Sequence, residues 1–154
     1  MKAVFADTFY WVALTNKHDA RHREALALLG SLNSPRIVTT EAVLIEYLNF
    51  FAEWGAPFRQ KAETNVRAVL SASSVSVVVH THELFLEALN LYRSRSDKGY
   101  SLTDCLSMLT MRRESVTDVL TNDRHFEQEG FRALFHCSGI LEDFRPADAV
   151  SCSQ

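Results

Sequence analysis

The stretch VLTNDRHF, residues 119–126, begins as an apolar strand and then turns abruptly polar through Asn122, Asp123, Arg124 and His125. A plain turn does not require an aspartate at the end of a buried strand. Short β-branched runs of this kind alternate along the chain with longer amphipathic stretches, which is the pattern of an α/β protein built on a parallel sheet. In an open sheet of that class ligands gather beyond the carboxyl ends of the strands, where loops and helix amino termini converge. An acid at the end of a strand, or opening the helix after it, is therefore a site candidate. An acid at a strand's beginning is not.

The strands expected are Lys2–Ala6, Arg36–Val38, Val75–His80, Val116–Thr121 and Leu134–His136. A helix opens near Thr8, and His18–Leu32 carries Ala25, Leu28, Leu29 and Leu32 at helical spacing before Asn33-Ser34-Pro35 stops it. Thr39 or Thr40 caps a helix over Glu41–Trp54, ended by Gly55-Ala56-Pro57, and another follows from Phe58 to Leu70. Thr81 caps a helix reaching Arg95, and Ser101–Arg113 forms one more. There is no internal repeat, low-complexity tract or linker, so residues 1–145 read as one domain and 146–154 as a flexible tail.

A chain of 154 residues, 47% hydrophobic and 23% charged, suits one ordinary domain with a single core. No apolar run approaches the roughly 18 residues of a membrane span, and MKAVFAD meets an acid too early for a signal peptide, so a cytoplasmic protein without a membrane partner is expected. Cys105, Cys137 and Cys152 are odd in number and widely spaced, which supports neither a disulfide framework nor a zinc site. The formal charge of −3 gives no global attraction for nucleic acid. A cation held among clustered acids offsets that objection locally.

Four acids pass the strand-end test or lie close to it. Asp7 directly follows KAVFA; Asp123 holds the equivalent place after VTDVLT; Asp104 lies in the first turn after Ser101; Glu46 sits about one turn into the helix after the second strand. Each has a plain structural explanation: Asp7 and Asp123 as caps, Asp104 as half of a capping box with Ser101, and Glu46 as a solvated side chain flanking the stripe Leu44, Tyr47, Leu48, Phe51, Trp54. Asp118, about 17 Å back along its strand from Asp123, belongs at the opposite edge and is excluded. Four carboxylates converging from distant segments repel one another unless a cation neutralises them, and such hard oxygen donors suit Mg²⁺ or Mn²⁺. The matching chemistry is phosphodiester hydrolysis, with the cation activating water and steadying charge on the phosphoryl oxygens.

Asp7-Thr8 after the first strand, VTTEAVLIE ending in Glu46, SLTDCLS around Asp104 and LTNDRHFEQEGF around Asp123 occur in an order and spacing that resemble the PIN-domain family, and more narrowly its VapC-like ribonuclease toxins. The resemblance covers roughly residues 2–140. It implies a three-layer α/β/α fold around a mostly parallel sheet of about five strands, and Mg²⁺- or Mn²⁺-dependent cleavage of single-stranded or loop RNA. The catalytic metal ligands it implies are Asp7, Glu46, Asp104 and Asp123. Thr8, Thr121 and Asn122 are secondary candidates, and Arg124 and His125 are candidate phosphate contacts. Toxins of this kind pair with a small antitoxin protein and commonly form homodimers. Phe50, Phe51, Trp54 and Phe58 crowd one helical hairpin; at least half are expected in the core, the others serving as interface anchors. Cys105 reads as a small core residue.

Other readings fit less well. A phosphoacceptor receiver domain wants an aspartate ending its third strand, where this chain has His80, and a dehalogenase-type phosphatase wants an acid two residues after Asp7, where Phe9 stands. The remaining alternatives are a PIN-like binding module without catalysis and a nuclease acting on DNA or structured nucleic acid.

Overall fold

The computed structural model describes residues 2–136. The expected tail 146–154, the end of the domain at 145, and Cys137 and Cys152 lie outside the described residues. Five strands, β1 (Ala3–Ala6), β2 (Arg36–Thr40), β3 (Val75–Val78), β4 (Asp118–Leu120) and β5 (Arg132–Ala133), form one sheet in the order β3-β2-β1-β4-β5, every pairing parallel. The chain builds outward from β1 to β3 on one side, then returns to add β4 and β5 on the other. The order thus reverses between β1 and β4, and a crevice opens at the carboxyl ends of that pair.

Helices α1 (Thr8–Thr15), α2 (His22–Ser31), α3 (Glu41–Phe50), α4 (Ala56–Ser71), α5 (His82–Ser94), α6 (Leu102–Arg113) and α7 (Arg124–Gln128) cover both faces. Alternation along β1 divides the core: Phe5 packs with Val43, Leu84, Ala88, Met108 and Phe126 from α3, α5, α6 and α7, while Val4 and Ala6 pack with Tyr10, Ala25 and Leu28 from α1 and α2. A smaller cluster of Val12, Tyr47, Phe51 and Ala62 ties α4 to α1 and α3. The three-layer architecture expected from the sequence is the one observed. Among the described residues, no helix is long and apolar enough to cross a membrane.

The threonine and serine capping signals read from the sequence are made. Thr40 Oγ1 accepts from Val43 N at 3.1 Å, Thr81 Oγ1 accepts from Leu84 N at 3.1 Å, and Ser101 and Asp104 form a reciprocal capping box. Several boundaries differ from expectation, each for a local reason. The helix expected from His18 begins at His22, because Asn16 and Asp19 accept from the backbone N–H groups of His18 and Arg21 and fold 16–21 into consecutive turns. The helix expected to reach Trp54 ends at Phe50, where a turn leads to Gly55 at φ 91°. The next helix opens at Ala56, with Pro57 in its first turn, rather than at Phe58. The strand expected at Leu134–His136 is a 3₁₀ turn, and the fifth strand lies just before it at Arg132–Ala133. Arg132 N bonds to Thr117 O at 2.8 Å, and its guanidinium grips Asp118 at 2.8 and 2.7 Å, fixing the register there. Leu134 and Phe135 then turn under α2 into the core.

Candidate active site

Asp7, Glu46, Asp104 and Asp123 line one crevice of about 710 Å³ at the switch point between β1 and β4, together with Thr8, Thr121, Asn122 and Arg124. Asp7 arrives at the end of β1, Asp123 just beyond β4, Asp104 from the first turn of α6 and Glu46 from the second turn of α3. Asp118 lies at the opposite end of β4, as expected, where Lys2 and Arg132 neutralise it.

The capping explanations and the site explanation can now be compared residue by residue. Asp7 occupies the cap position of α1 but makes none of the side-chain hydrogen bonds of a cap. Its carboxylate instead accepts from Thr121 Oγ1 at 3.0 Å, across the β1–β4 pair. Asp104 does both: Oδ2 accepts from Ser101 N at 2.9 Å while the residue lines the crevice. Asp123 also does both, with Oδ1 accepting from His125 N at 2.9 Å to start α7. Glu46, half-buried, has no hydrogen-bond or ion-pair partner among the described residues.

Asp7 is the deepest of the four, only 6% exposed. Burial, then the charge of Asp104 and more weakly that of Glu46, raise its pKa from 3.8 to about 7 against the opposing hydrogen bonds from Thr8 and Thr121. Asp104 is also raised, first by burial and then by the charges of Asp123 and Glu46. Two charges on these groups are thus costly in the protein alone.

The contrast with the other buried acids is informative. Asp118 is held by Lys2 and Arg132, and Glu129 by Arg95 and Arg112, so each has two cationic partners and a pKa below the usual carboxylate range. No lysine or arginine among the described residues pairs with Asp7, Glu46, Asp104 or Asp123. Their one basic contact among the described residues is His125, whose Nδ1 lies 3.2 Å from Asp123 Oδ1 and 3.7 Å from Asp104 Oδ2. His125 rests against Tyr100 at 5.1 Å between ring centroids, and offers a ligand atom within 4.8 Å of those of Asp104 and Asp123. Arg124 is exposed at the rim. Thr8 Oγ1 is buried in the crevice wall without a hydrogen-bond partner. Converging oxygen donors without a cationic side chain, beside an orphaned hydroxyl, fit a hard divalent cation.

Two liners were not read from the sequence. Asp19, in the turns before α2, falls at the start of the helix expected over His18–Leu32, although the Asn-Lys-His-Asp run of residues 16–19 carries turn chemistry. Phe50 reaches the crevice from the end of α3. Of the four hairpin aromatics, Phe51 is fully buried and Phe58 half-buried, while Phe50 and Trp54 are 45% and 44% exposed. Cys105 is buried, its thiol pushed up to about 11 chiefly by burial, as befits an inert core residue.

A five-stranded parallel sheet with an acidic crevice at its switch point defines a class, and comparison with known proteins identifies it: the PIN domain profile matches residues 4–131, and the chain belongs to that family. It is 29% identical over 131 residues to the 23S rRNA-specific endonuclease VapC20 of Mycobacterium tuberculosis, an alignment spanning 83% of this chain and 95% of that one. The crystal structure of VapC20, described as a sarcin–ricin loop cleaving toxin, superposes with a TM-score of 0.73 at 26% identity, again over 83% and 95% of the two chains. Two further structures share the fold. VapBC2 from Rickettsia felis, bound to a fragment of its promoter DNA, gives a TM-score of 0.58 at 19% identity over 85% of this chain and 96% of that one. FitAcB from Neisseria gonorrhoeae gives 0.60 at 13% identity over 84% and 95%.

Proposed function

We propose that this protein is a divalent-metal-dependent endoribonuclease that hydrolyses phosphodiester bonds in single-stranded or loop RNA, acting in the cytoplasm as the toxin of a toxin–antitoxin pair. The observation that carries the reading is the charge state of the crevice acids: Asp118 and Glu129 each hold two cations, and the four crevice carboxylates hold no lysine or arginine among the described residues. Asp7, Asp104, Asp123 and Glu46 are the residues that would hold Mg²⁺ or Mn²⁺. Bound there, the cation supplies charge neutralisation at the phosphoryl oxygens and activation of water.

The side chains divide the remaining work. Thr121 bridges two of the acids: its hydroxyl donates to Asp7 and accepts from the Asp123 backbone at 3.2 Å, so the ends of β1 and β4 keep their spacing. The capping box locks Asp104 in its rotamer, and the α7 cap does the same for Asp123. Rigid placement of this kind lets a cation bind without rearrangement. Arg124 at the rim meets an incoming phosphate. His125, between Asp104 and Asp123, positions both. A small antitoxin covering the crevice and a homodimeric toxin are part of the proposal; the toxin role is supported by the similarity to VapC20, a sarcin–ricin loop cleaving toxin.

The test is incubation of the purified protein with a single-stranded RNA, a stem–loop carrying the sarcin–ricin sequence and the same sequences as DNA, with Mg²⁺, Mn²⁺ or EDTA, mapping the ends produced. Metal-dependent scission confined to RNA is expected. Scission of DNA alone would transfer the reading to a DNA nuclease, and no scission with no metal binding would leave a binding module.

A further inference from the structure

We infer that Phe50, braced by Trp54, is a base-stacking platform that holds a nucleotide of the RNA next to the bond being cleaved. The inference rests on the ribonuclease reading and adds to it a substrate-binding residue outside the acidic set.

Three observations carry it. Phe50 lines the same crevice as the carboxylates, and it follows Glu46 by four residues, so the two share one face of α3. An RNA strand that brings a phosphate to Glu46 therefore brings a base to Phe50. The ring is also 45% exposed, unusual for a large apolar side chain beside a charged crevice, yet it is firmly seated. Its centroid lies 5.3 Å from Trp54 and 5.0 Å from Phe51, and Trp54 in turn packs on Phe58 at 5.2 Å. The turn beneath them is pinned by Arg59, whose Nη1 donates to Ala52 O at 2.8 Å. An exposed aromatic held in place before binding loses little conformational freedom when a base stacks on it.

The third observation concerns charge. Among the described residues the charged side chains lining the crevice are Asp7, Asp19, Glu46, Asp104 and Asp123 against Arg124, and the whole chain carries −3. Such a surface has little Coulombic attraction for a polyanion beyond what one cation confers. Affinity has to come from the bases, and stacking is the interaction available to any base regardless of sequence. A protein partner could also cover exposed aromatics, but the position of Phe50 within the acidic crevice favours the nucleic acid.

The test compares wild type with Phe50→Leu, which keeps an apolar side chain without a π face, and Phe50→Trp, which restores one. With intact RNA, Phe50→Leu is expected to raise KM roughly five- to hundredfold with kcat nearly unchanged, and Phe50→Trp to recover the wild-type KM. On an RNA made abasic beside the scissile bond, wild type and Phe50→Leu should converge. Quenching of tryptophan fluorescence on adding RNA, read without turnover in EDTA, gives the same comparison as a binding difference. Circular dichroism and thermal unfolding confirm that both variants fold. An unchanged KM and unchanged quenching in a folded Phe50→Leu would overturn the proposal, as would an equal loss on intact and abasic RNA. If RNA handling is unaffected while sedimentation shows a dimer becoming a monomer, the patch is a protein interface and the proposal fails. If wild type cleaves no RNA but binds it in a Phe50-dependent way, the nuclease reading falls and the platform stands.

Discussion

Replacing Asp7 by Asn should make the metal-free protein more stable at neutral pH while abolishing its chemistry. Asp7 is buried at the floor of the crevice with a pKa of about 7 against 3.8 for an unperturbed carboxyl, so the folded protein holds this proton more tightly than the unfolded chain. Its contribution to stability is fully present below pH about 4 and is lost as pH rises through 7. The difference corresponds to about 4 kcal/mol at 1.36 kcal/mol per tenfold change in proton affinity. Asn preserves the shape and still accepts from Thr121, but carries no charge at any pH. In EDTA, urea or thermal unfolding between pH 5 and 8 should show wild type losing about 2.7 kcal/mol of that total, the rest being lost already between pH about 4 and 5, and Asp7→Asn keeping most of it. For a domain of this size the total of about 4 kcal/mol separates the two by roughly 8–16 °C in Tm at pH 8. Asp118 and Glu129, whose pKa values are held low, contribute in the opposite direction at lower pH, so their effect is complete before this window begins. Curves for the two proteins that run parallel from pH 5 to 8 would refute the reasoning.

Adding Mg²⁺ or Mn²⁺ at pH 7.5 should raise the Tm of wild type, by about 2.7 kcal/mol of stability at a hundredfold excess over Kd, and should leave Asp7→Asn largely unmoved in a thermal-shift series. Asp118→Asn should cost about 2–3 kcal/mol in urea unfolding by leaving Lys2 and Arg132 without their buried partner, yet retain RNA cleavage, because Asp118 lies at the far end of its strand. Thr121→Val, which removes both the donor to Asp7 and the acceptor for Asp123 N, should cost about 1–3 kcal/mol and lower kcat more than it raises KM. Asp104→Asn should keep α6 intact by circular dichroism, since Asn still caps, while metal-dependent cleavage is lost.

Most of the sheet was legible because four strands are apolar β-branched runs whose alternation no amphipathic helix would show. The fifth was displaced because the register of Arg132–Ala133 is set by an ion pair to Asp118, a tertiary contact with no local signal. Leu134 and Phe135 are apolar enough to read as strand, but they serve the core through a 3₁₀ turn. Asp7 and Asp123 were visible from the strand-end rule, and Asp104 from its place in a first helical turn. Glu46 was not separable from a surface glutamate by periodicity; the order of the four segments suggested it, and only the packing of α3 brings it to the crevice. Asp19 was hidden at the start of an expected helix. Phe50 was seen as one of a crowd of aromatics, and its place four residues after Glu46 on α3 is what leaves it facing the acids.

The most direct test of a carboxylate-held cation is Mn²⁺ binding at pH 7.5, followed by the loss of the free-ion electron paramagnetic resonance signal, for wild type and the Asp104→Asn, Asp123→Asn double variant. Saturable binding by wild type that disappears in the folded double variant is the expected result. Equal binding by both proteins, or none by wild type, would contradict it.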